Sequence, residues 1–87
     1  MYNVHLLSFP AKRQSRLERV VQKHGPRTLD RAARLALLSE VRGGHAQIIA
    51  RYVEEHTAEN VVLELKMLDA VAEVRQDQPV ADVPAAA

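Results

Sequence analysis

The chain has 87 residues, of which 47% are apolar and 26% charged, a composition typical of one small globular domain. It contains no cysteine, which excludes disulfides and thiolate metal sites, and no apolar run of the roughly 20 residues that a membrane helix needs. The N-terminus has no basic segment ahead of its short apolar stretch and no small-residue cleavage site after it, so we expect no signal peptide and a cytoplasmic, non-membrane protein. Because so small a core gives marginal stability, we also expect association to supplement it.

Charge is divided unequally between the two halves of the chain. Residues 1–45 contain nine Lys or Arg and three acidic residues, a net charge of +6, whereas residues 46–87 contain three and eight, a net charge of −5. Halves of opposite charge can attract each other within one chain or between two chains. Two solvated faces of one domain would give the same division.

The first predicted elements are a strand and a basic helix. Residues 2–9 are rich in β-formers and end at Pro10, which suits a strand exit. In residues 11–24 the apolar side chains recur with helical spacing, at Leu17, Val20, Val21 and His24. Gly25 then suits a left-handed helix cap, and Pro26 prevents continuation.

The next segment, residues 34–41, can be interpreted in two ways. Its alternation of side chains predicts a second strand, which a tight "RGG" turn would join to a third strand over residues 45–53. Its alanine and leucine content instead favours a helix over residues 29–41. We prefer the hairpin, because the β-branched residues after the Gly–Gly turn need a partner strand.

The last predicted elements are a helix from Thr57 to Leu68 and a short strand over residues 71–75, where Ala72 and Val74 share one face. Residues 77–87 have two prolines and no periodicity, so we predict a single domain over residues 1–76 and a disordered C-terminal tail. The element order predicts an α+β fold, the ferredoxin-like βαββαβ sandwich. This fold has a four-stranded antiparallel sheet with two helices on one face.

The sequence shows no catalytic or metal-binding constellation. The four histidines lack the spacing of a helical metal site, no serine lies in a nucleophile elbow, and Gly43–Gly44 alone is a turn. We therefore predict no enzymatic activity, no metal and no cofactor. His24 ends an apolar stripe near a helix C-terminus, where packing and the helix dipole explain it better than ligation.

The basic N-terminal half raises an alternative function, in which a basic helix binds nucleic acid phosphates or the protein is a small ribosome-associated protein. The related RNA-recognition fold needs exposed aromatic side chains on its central strands to stack bases. The predicted central strands lack that pattern, so nucleic acid is the less favoured partner.

The ending "LELKMLDAVAEVR" resembles the close of an ACT domain, the small ferredoxin-like regulatory module of amino-acid metabolism. The residues that fit its last helix and strand are Leu63, Leu65, Leu68, Asp69, Val71 and Val74. "FPAKRQSRLERVVQKHG" is similar to that family's first loop and helix, and the overall plan is similar to the small regulatory subunit of acetolactate synthase. The resemblance implies a regulatory module that forms a homodimer through an edge strand or a helix face, docks on a larger enzyme subunit and binds an amino acid.

The resemblance implies a ligand site in the first loop, where the start of the first helix can receive a carboxylate. Its residues are Phe9, Pro10, Ala11, Lys12 and Arg13. Family members that bind an amino acid commonly have Gly after the proline, where this chain has Ala11. The C-terminal domain of the ribosomal stalk protein is a second, weaker similarity: it too is a small α/β module rich in Ala, Leu, Val and charged residues, but it lacks the predicted hairpin.

Overall fold

A computed structural model describes residues 1–76 and has the α+β class that the sequence predicts. Residues 1–76 form three strands, three α-helices and one 3₁₀ turn. In chain order these are β1 (Tyr2–Ser8), the 3₁₀ turn (Ala11–Arg13), α1 (Gln14–His24), α2 (Arg31–Arg42), β2 (Gln47–Tyr52), α3 (Glu55–Lys66) and β3 (Val71–Gln76). The predicted tail, residues 77–87, lies outside the described residues.

The predicted hairpin is wrong, because residues 34–41 belong to helix α2. The Asp30 side chain caps this helix by accepting a hydrogen bond from the Ala33 amide at 2.8 Å. Leu38 and Val41, three residues apart, are buried on one face of the helix. The "RGG" segment ends the helix instead of joining two strands, and Gly44 there has a φ of +96°. The predicted four-stranded, two-helix sandwich is therefore replaced by three strands and three helices.

The three strands form an antiparallel sheet in the order β2-β1-β3, so the first strand is central. Val4 lies opposite Ala50 on one side and opposite Val74 on the other. The register of β1 and β2 shifts after Val4, leaving Ile49 as an extra residue in β2. Residues 2–9 were predicted to form a central strand, and β1 (Tyr2–Ser8) occupies that position in a smaller sheet.

One aliphatic core holds the sheet and the three helices together. Val4 and Leu6 of β1 are fully buried, as is one leucine from each helix: Leu17, Leu38 and Leu65. Each such side chain contributes about 1.5–3 kcal/mol to folding through burial. All three helices pack through this core against the same face of β1. The core therefore holds α1 and α2 side by side against the sheet.

The end of the domain closely matches the sequence prediction. Val61, Val62 and Leu65 form the buried stripe of α3, and β3 follows within a few residues. Asp69 makes the abrupt turn possible by taking a left-handed φ of +62°, which Asp tolerates better than most residues. The helix begins earlier than predicted, at Glu55, and Thr57 lies in its first turn. No helix in residues 1–76 combines the length and the apolar character of a membrane span.

Candidate functional site

The predicted ligand loop forms the 3₁₀ turn that leads into α1. The Arg13 amide donates to the Pro10 carbonyl at 2.9 Å, and the Arg13 guanidinium lies 3.6 Å from the Asp69 carboxylate. Phe9 packs partly against the core, whereas Ala11 and Lys12 are exposed. The structure thus keeps the five residues together in one turn and links that turn to the α3–β3 connection. Amino-acid binding there remains a prediction.

His24 lies in a hydrogen-bonded cluster that joins α1, β2 and α3. Its Nε2 is 2.9 Å from Glu64 Oε2, and its Nδ1 is 3.1 Å from the Tyr52 hydroxyl. Because a carboxylate can only accept, Nε2 carries a proton, and Nδ1 of a neutral ring accepts from Tyr52. Lys23 Nζ lies 3.6 Å from Glu64 Oε1. Packing therefore accounts for His24, as predicted, since its side chain is only 18% exposed, but its hydrogen bonds were not foreseen.

The cluster changes the acidity of two of its members. The hydrogen bond from His24 lowers the pKa of Glu64, against the opposing effect of burial, and the charges of His24 and Lys23 act in the same direction as the hydrogen bond. Burial, and then the negative charge of Glu64, raises the pKa of Tyr52. The lowered pKa of Glu64 favours a carboxylate that accepts a hydrogen bond, and the raised pKa of Tyr52 favours a phenol that donates one. Within residues 1–76, no group of three or more acidic, His or Cys side chains could hold a metal ion.

The largest concentration of exposed positive charge lies on α1, the following loop and the start of α2. We call this surface the α1–α2 face and define it by six exposed cationic residues, of which Lys23 also contacts Glu64 of α3: Lys12, Arg16, Arg19, Lys23, Arg27 and Arg31. Four of them recur at helical spacing along the solvent side of α1 and the turn before it, as the sequence predicts. The others join them only because α2 folds back against α1.

A groove of about 440 Å³ lies in the α1–α2 face, between the two helices. Arg19 and Arg31 border it from opposite sides, Gln14 and Ser15 add polar groups, and Leu35 supplies an apolar wall. Glu18 also lines the groove, where its carboxylate is paired with Arg34. With that acid paired, the two cations, the neutral hydrogen-bonding groups and the apolar wall suit a carboxylate-bearing segment that also has an apolar side chain.

Two side-chain links clamp α1 to α2 beside this groove. Arg34 Nε donates to Glu18 Oε1 at 2.9 Å, and these side chains are only 12% and 16% exposed. At the other end Arg42 Nη1 donates to Gln14 Oε1 at 3.2 Å. Because Glu18, the acid nearest the centre of the face, is occupied by Arg34, the neighbouring arginines remain available to a partner. The mistaken hairpin concealed this pairing, since it placed Arg34 on a strand.

A close backbone contact fixes the C-terminal end of α1 against β2. Gly25 has a φ of −79°, so its predicted role as a left-handed cap is wrong. A Cβ at this position would lie 2.5 Å from the Val21 carbonyl oxygen and 3.0 Å from that of Ile49. Glycine is therefore required because the backbone segments approach too closely for a side chain. A cavity of about 530 Å³, lined in part by Leu29, Leu37 and Ile48, adjoins this contact.

Comparison of the chain with protein-family models, with curated proteins and with solved structures finds no match.

Proposed function

We propose that the protein is a non-catalytic docking module whose α1–α2 face binds an acidic surface of a partner protein. The observation that carries the proposal is the groove in that face, where Arg19 and Arg31 from two helices converge beside Leu35. Cations that face each other across a preformed groove lose little side-chain entropy when a carboxylate enters, and they speed association with an acidic partner.

The His24 cluster supports a structural role more than a catalytic one. His24 uses both ring nitrogens on partners within the cluster, Glu64 and Tyr52, and these hydrogen bonds link three elements of the fold. A general acid or base must also reach a substrate proton, and a ring whose two nitrogens are both engaged would first have to break one of these bonds. A role in stabilising the fold does not require His24 to break either of these bonds.

An acidic protein suits the face better than nucleic acid does. The aromatic residues Tyr2, Phe9 and Tyr52 pack partly against the core, so they do not form a stacking platform for bases. The net charge of the whole chain is only +1, and the acidic residues of α3 would repel a polyanion that extends beyond the α1–α2 face. A compact acidic segment with an apolar side chain meets neither obstacle.

A second candidate function is a ribosome-associated role, which the similarity to the C-terminal domain of the ribosomal stalk protein implies. The feature that set this chain apart from the stalk domain was the predicted hairpin, and residues 31–42 are helical instead. The ACT-like proposal of a regulatory subunit that binds an amino acid relied on a strand in the same segment, so it loses that support. Its ligand loop, from Phe9 to Arg13, can be tested separately by amino-acid titration.

The proposal is tested by a paired charge reversal. The probe is a peptide of ten residues made of Glu and Leu, and its affinity for the full chain is measured by fluorescence anisotropy at several salt concentrations. We expect Arg19→Glu with Arg31→Glu to weaken binding about tenfold or more, since two charge-assisted contacts worth about 1 kcal/mol each become repulsive.

The matched control reverses Arg51 and Lys66, which are exposed outside the α1–α2 face and give the same change in net charge. All variants are compared at concentrations where the chain is monomeric. Equal loss in both double variants would mean that only net charge matters and would refute the proposed site. A single-stranded oligonucleotide of equal charge distinguishes the alternative function: tighter binding of the oligonucleotide at the same residues would favour nucleic acid. Co-sedimentation of the chain with ribosomes from its source cells, lost on the Arg19 and Arg31 reversals, tests the ribosome-associated role.

A further inference from the structure

The outer edge of β3 and the apolar side chains next to it form a second surface, which we call the β3 edge. Within residues 1–76, β3 pairs with β1 on one side and with no strand on the other. Leu63, Met67 and Val71 recur every four residues along the end of α3 and the start of β3, and they are 56%, 82% and 53% exposed. An open strand edge beside exposed apolar side chains is a typical site for pairing with another strand.

A groove of about 400 Å³ runs between α3 and β3 along this edge. Val62, Leu63 and Val74 line its apolar part. Of its charged residues, Glu59 lies toward the first turns of α3 and Lys66 in the last turn. Glu55 and Glu73 line it as well. The groove is therefore apolar within, acidic toward the start of α3 and beside β3, and basic at the end of α3.

We infer that the β3 edge binds a second copy of this chain, with the two β3 strands antiparallel about a twofold axis near Val74. Each domain would contribute three strands to a continuous six-stranded sheet. Direct pairing of identical strands is a closed, self-complementary arrangement, and it covers the same surface on both copies.

The charges on β3 identify the second copy as the occupant. In this register Glu73 of each strand lies opposite Arg75 of the other, so two cross-strand ion pairs form. Two residues of the same charge at these positions would instead repel each other. Within one chain Glu73 and Arg75 already contact each other, which shows that both lie on the same face of the sheet. Edge strands that avoid pairing carry proline or charges that repel a partner. The described part of β3 has no proline, and its opposite charges suit self-pairing.

The two α3 helices add a second complementary pattern. A twofold axis through the paired strands places the first turn of one α3 beside the last turn of the other. Glu55 and Glu59 then approach Lys66 of the second copy, and the exposed Leu63 side chains lie near the contact. Apolar burial and opposite charges thus favour the same arrangement.

The other outer strand, β2, offers a poorer site. The segment after α1 lies against it: the Gly25 position is in close contact with the Ile49 carbonyl, and His24 bonds to Tyr52. A strand added along β2 would have to displace this segment, whereas among the residues described nothing on β3 has to move. This contrast assigns the contact between copies to β3.

The test is sedimentation equilibrium of the full 87-residue chain over a wide concentration range. We expect association to twice the chain mass of 9.7 kDa. Glu73→Arg alone, and Arg75→Glu alone, should each raise the dissociation constant about tenfold, because both cross-strand pairs become repulsive. An equimolar mixture of the two variants should restore association, since each strand then meets its opposite charge in the other.

A second pair of variants makes the test independent of these charges. Leu63→Ser should weaken association, whereas Val53→Ser, which alters a 78% exposed side chain at the end of β2, should not. Circular dichroism checks that every variant is folded. The inference is overturned if the full chain stays monomeric at every concentration, if the mixture associates no better than either variant alone, or if Leu63→Ser and Val53→Ser behave alike.

Discussion

The α1–α2 face and the β3 edge leave different chemistry at the surface of one small domain. The first exposes cations around a preformed groove, and its helices are clamped by Arg34 and Glu18. The second exposes apolar side chains and a strand edge. A cationic groove selects a partner by its negative charge. An unpaired strand edge instead selects a partner whose backbone can form hydrogen bonds with it. We propose that the two surfaces serve two kinds of partner, an unlike acidic protein and a second copy.

The largest expected effect is on the free energy of unfolding, and it distinguishes a buried helix position from an exposed one. Leu38 of α2 is fully buried, so Leu38→Ala should lower the free energy of unfolding by about 2–5 kcal/mol through lost burial and a residual cavity. Leu63→Ala, at a 56% exposed position of α3, should cost less than about 0.5 kcal/mol under conditions where the chain is monomeric. Urea denaturation followed by circular dichroism measures both. Equal costs would contradict the assignment of Leu63 to an exposed surface.

The next effect concerns how the α1–α2 unit is attached to the sheet. Gly25→Ala should cost about 1–3 kcal/mol, because the added Cβ meets two backbone carbonyl oxygens that cannot move aside cheaply. Gly43→Ala is the matched control: its φ is −77°, and the nearest atom to the added Cβ would be 3.4 Å away. Thermal unfolding of the two variants makes the comparison. If the Gly43 variant were destabilised as much as the Gly25 variant, the close contact with β2 would not be the cause.

The smallest expected effect is on the pH dependence of stability and involves the His24 cluster. The folded pKa of Glu64 is below its ordinary value of 4.5. A lowered folded pKa gives stability that is present above pH 4.5 and is lost as pH falls through the folded pKa. Under conditions where the chain is monomeric, Glu64→Gln should therefore flatten the acid side of the stability profile, whereas Glu59→Gln, at an exposed position of the same helix, should not. Identical acid profiles for Glu64→Gln and the unmodified chain would show that Glu64 does not contribute to the pH dependence of stability.

Sequence patterns predicted the elements at the two ends of the domain and the strand over residues 45–53, which is β2, but failed over residues 34–41. The strand over residues 2–9 is bounded by Pro10, and the change from helix to strand near Asp69 is marked by a clear change of period. In residues 33–41 the side chains alternate in the manner of a strand. The same residues also have helical spacing, at Leu38 and Val41. Asp30, three residues before Ala33, was the signal that could have decided between them, since it caps the helix.

The partners within the candidate sites could not have been predicted from local patterns. Glu64 and Tyr52 lie 40 and 28 residues from His24, and Arg34 lies 16 residues from Glu18. Such contacts depend on how the helices fold back on the sheet, and the predicted topology was wrong at α2. The basic stripe of α1, in contrast, was visible from its spacing alone, because residues three or four apart share one side of a helix.

The most direct test of the two-surface account is a map of where an acidic partner binds. A ¹⁵N-labelled full chain is titrated with the peptide of Glu and Leu, and changes in backbone amide shifts are followed residue by residue. The account predicts saturable changes in α1 and α2, centred on Arg19 and Arg31, with β3 and the end of α3 unaffected. Changes centred on β3, or spread evenly over the chain, would contradict it.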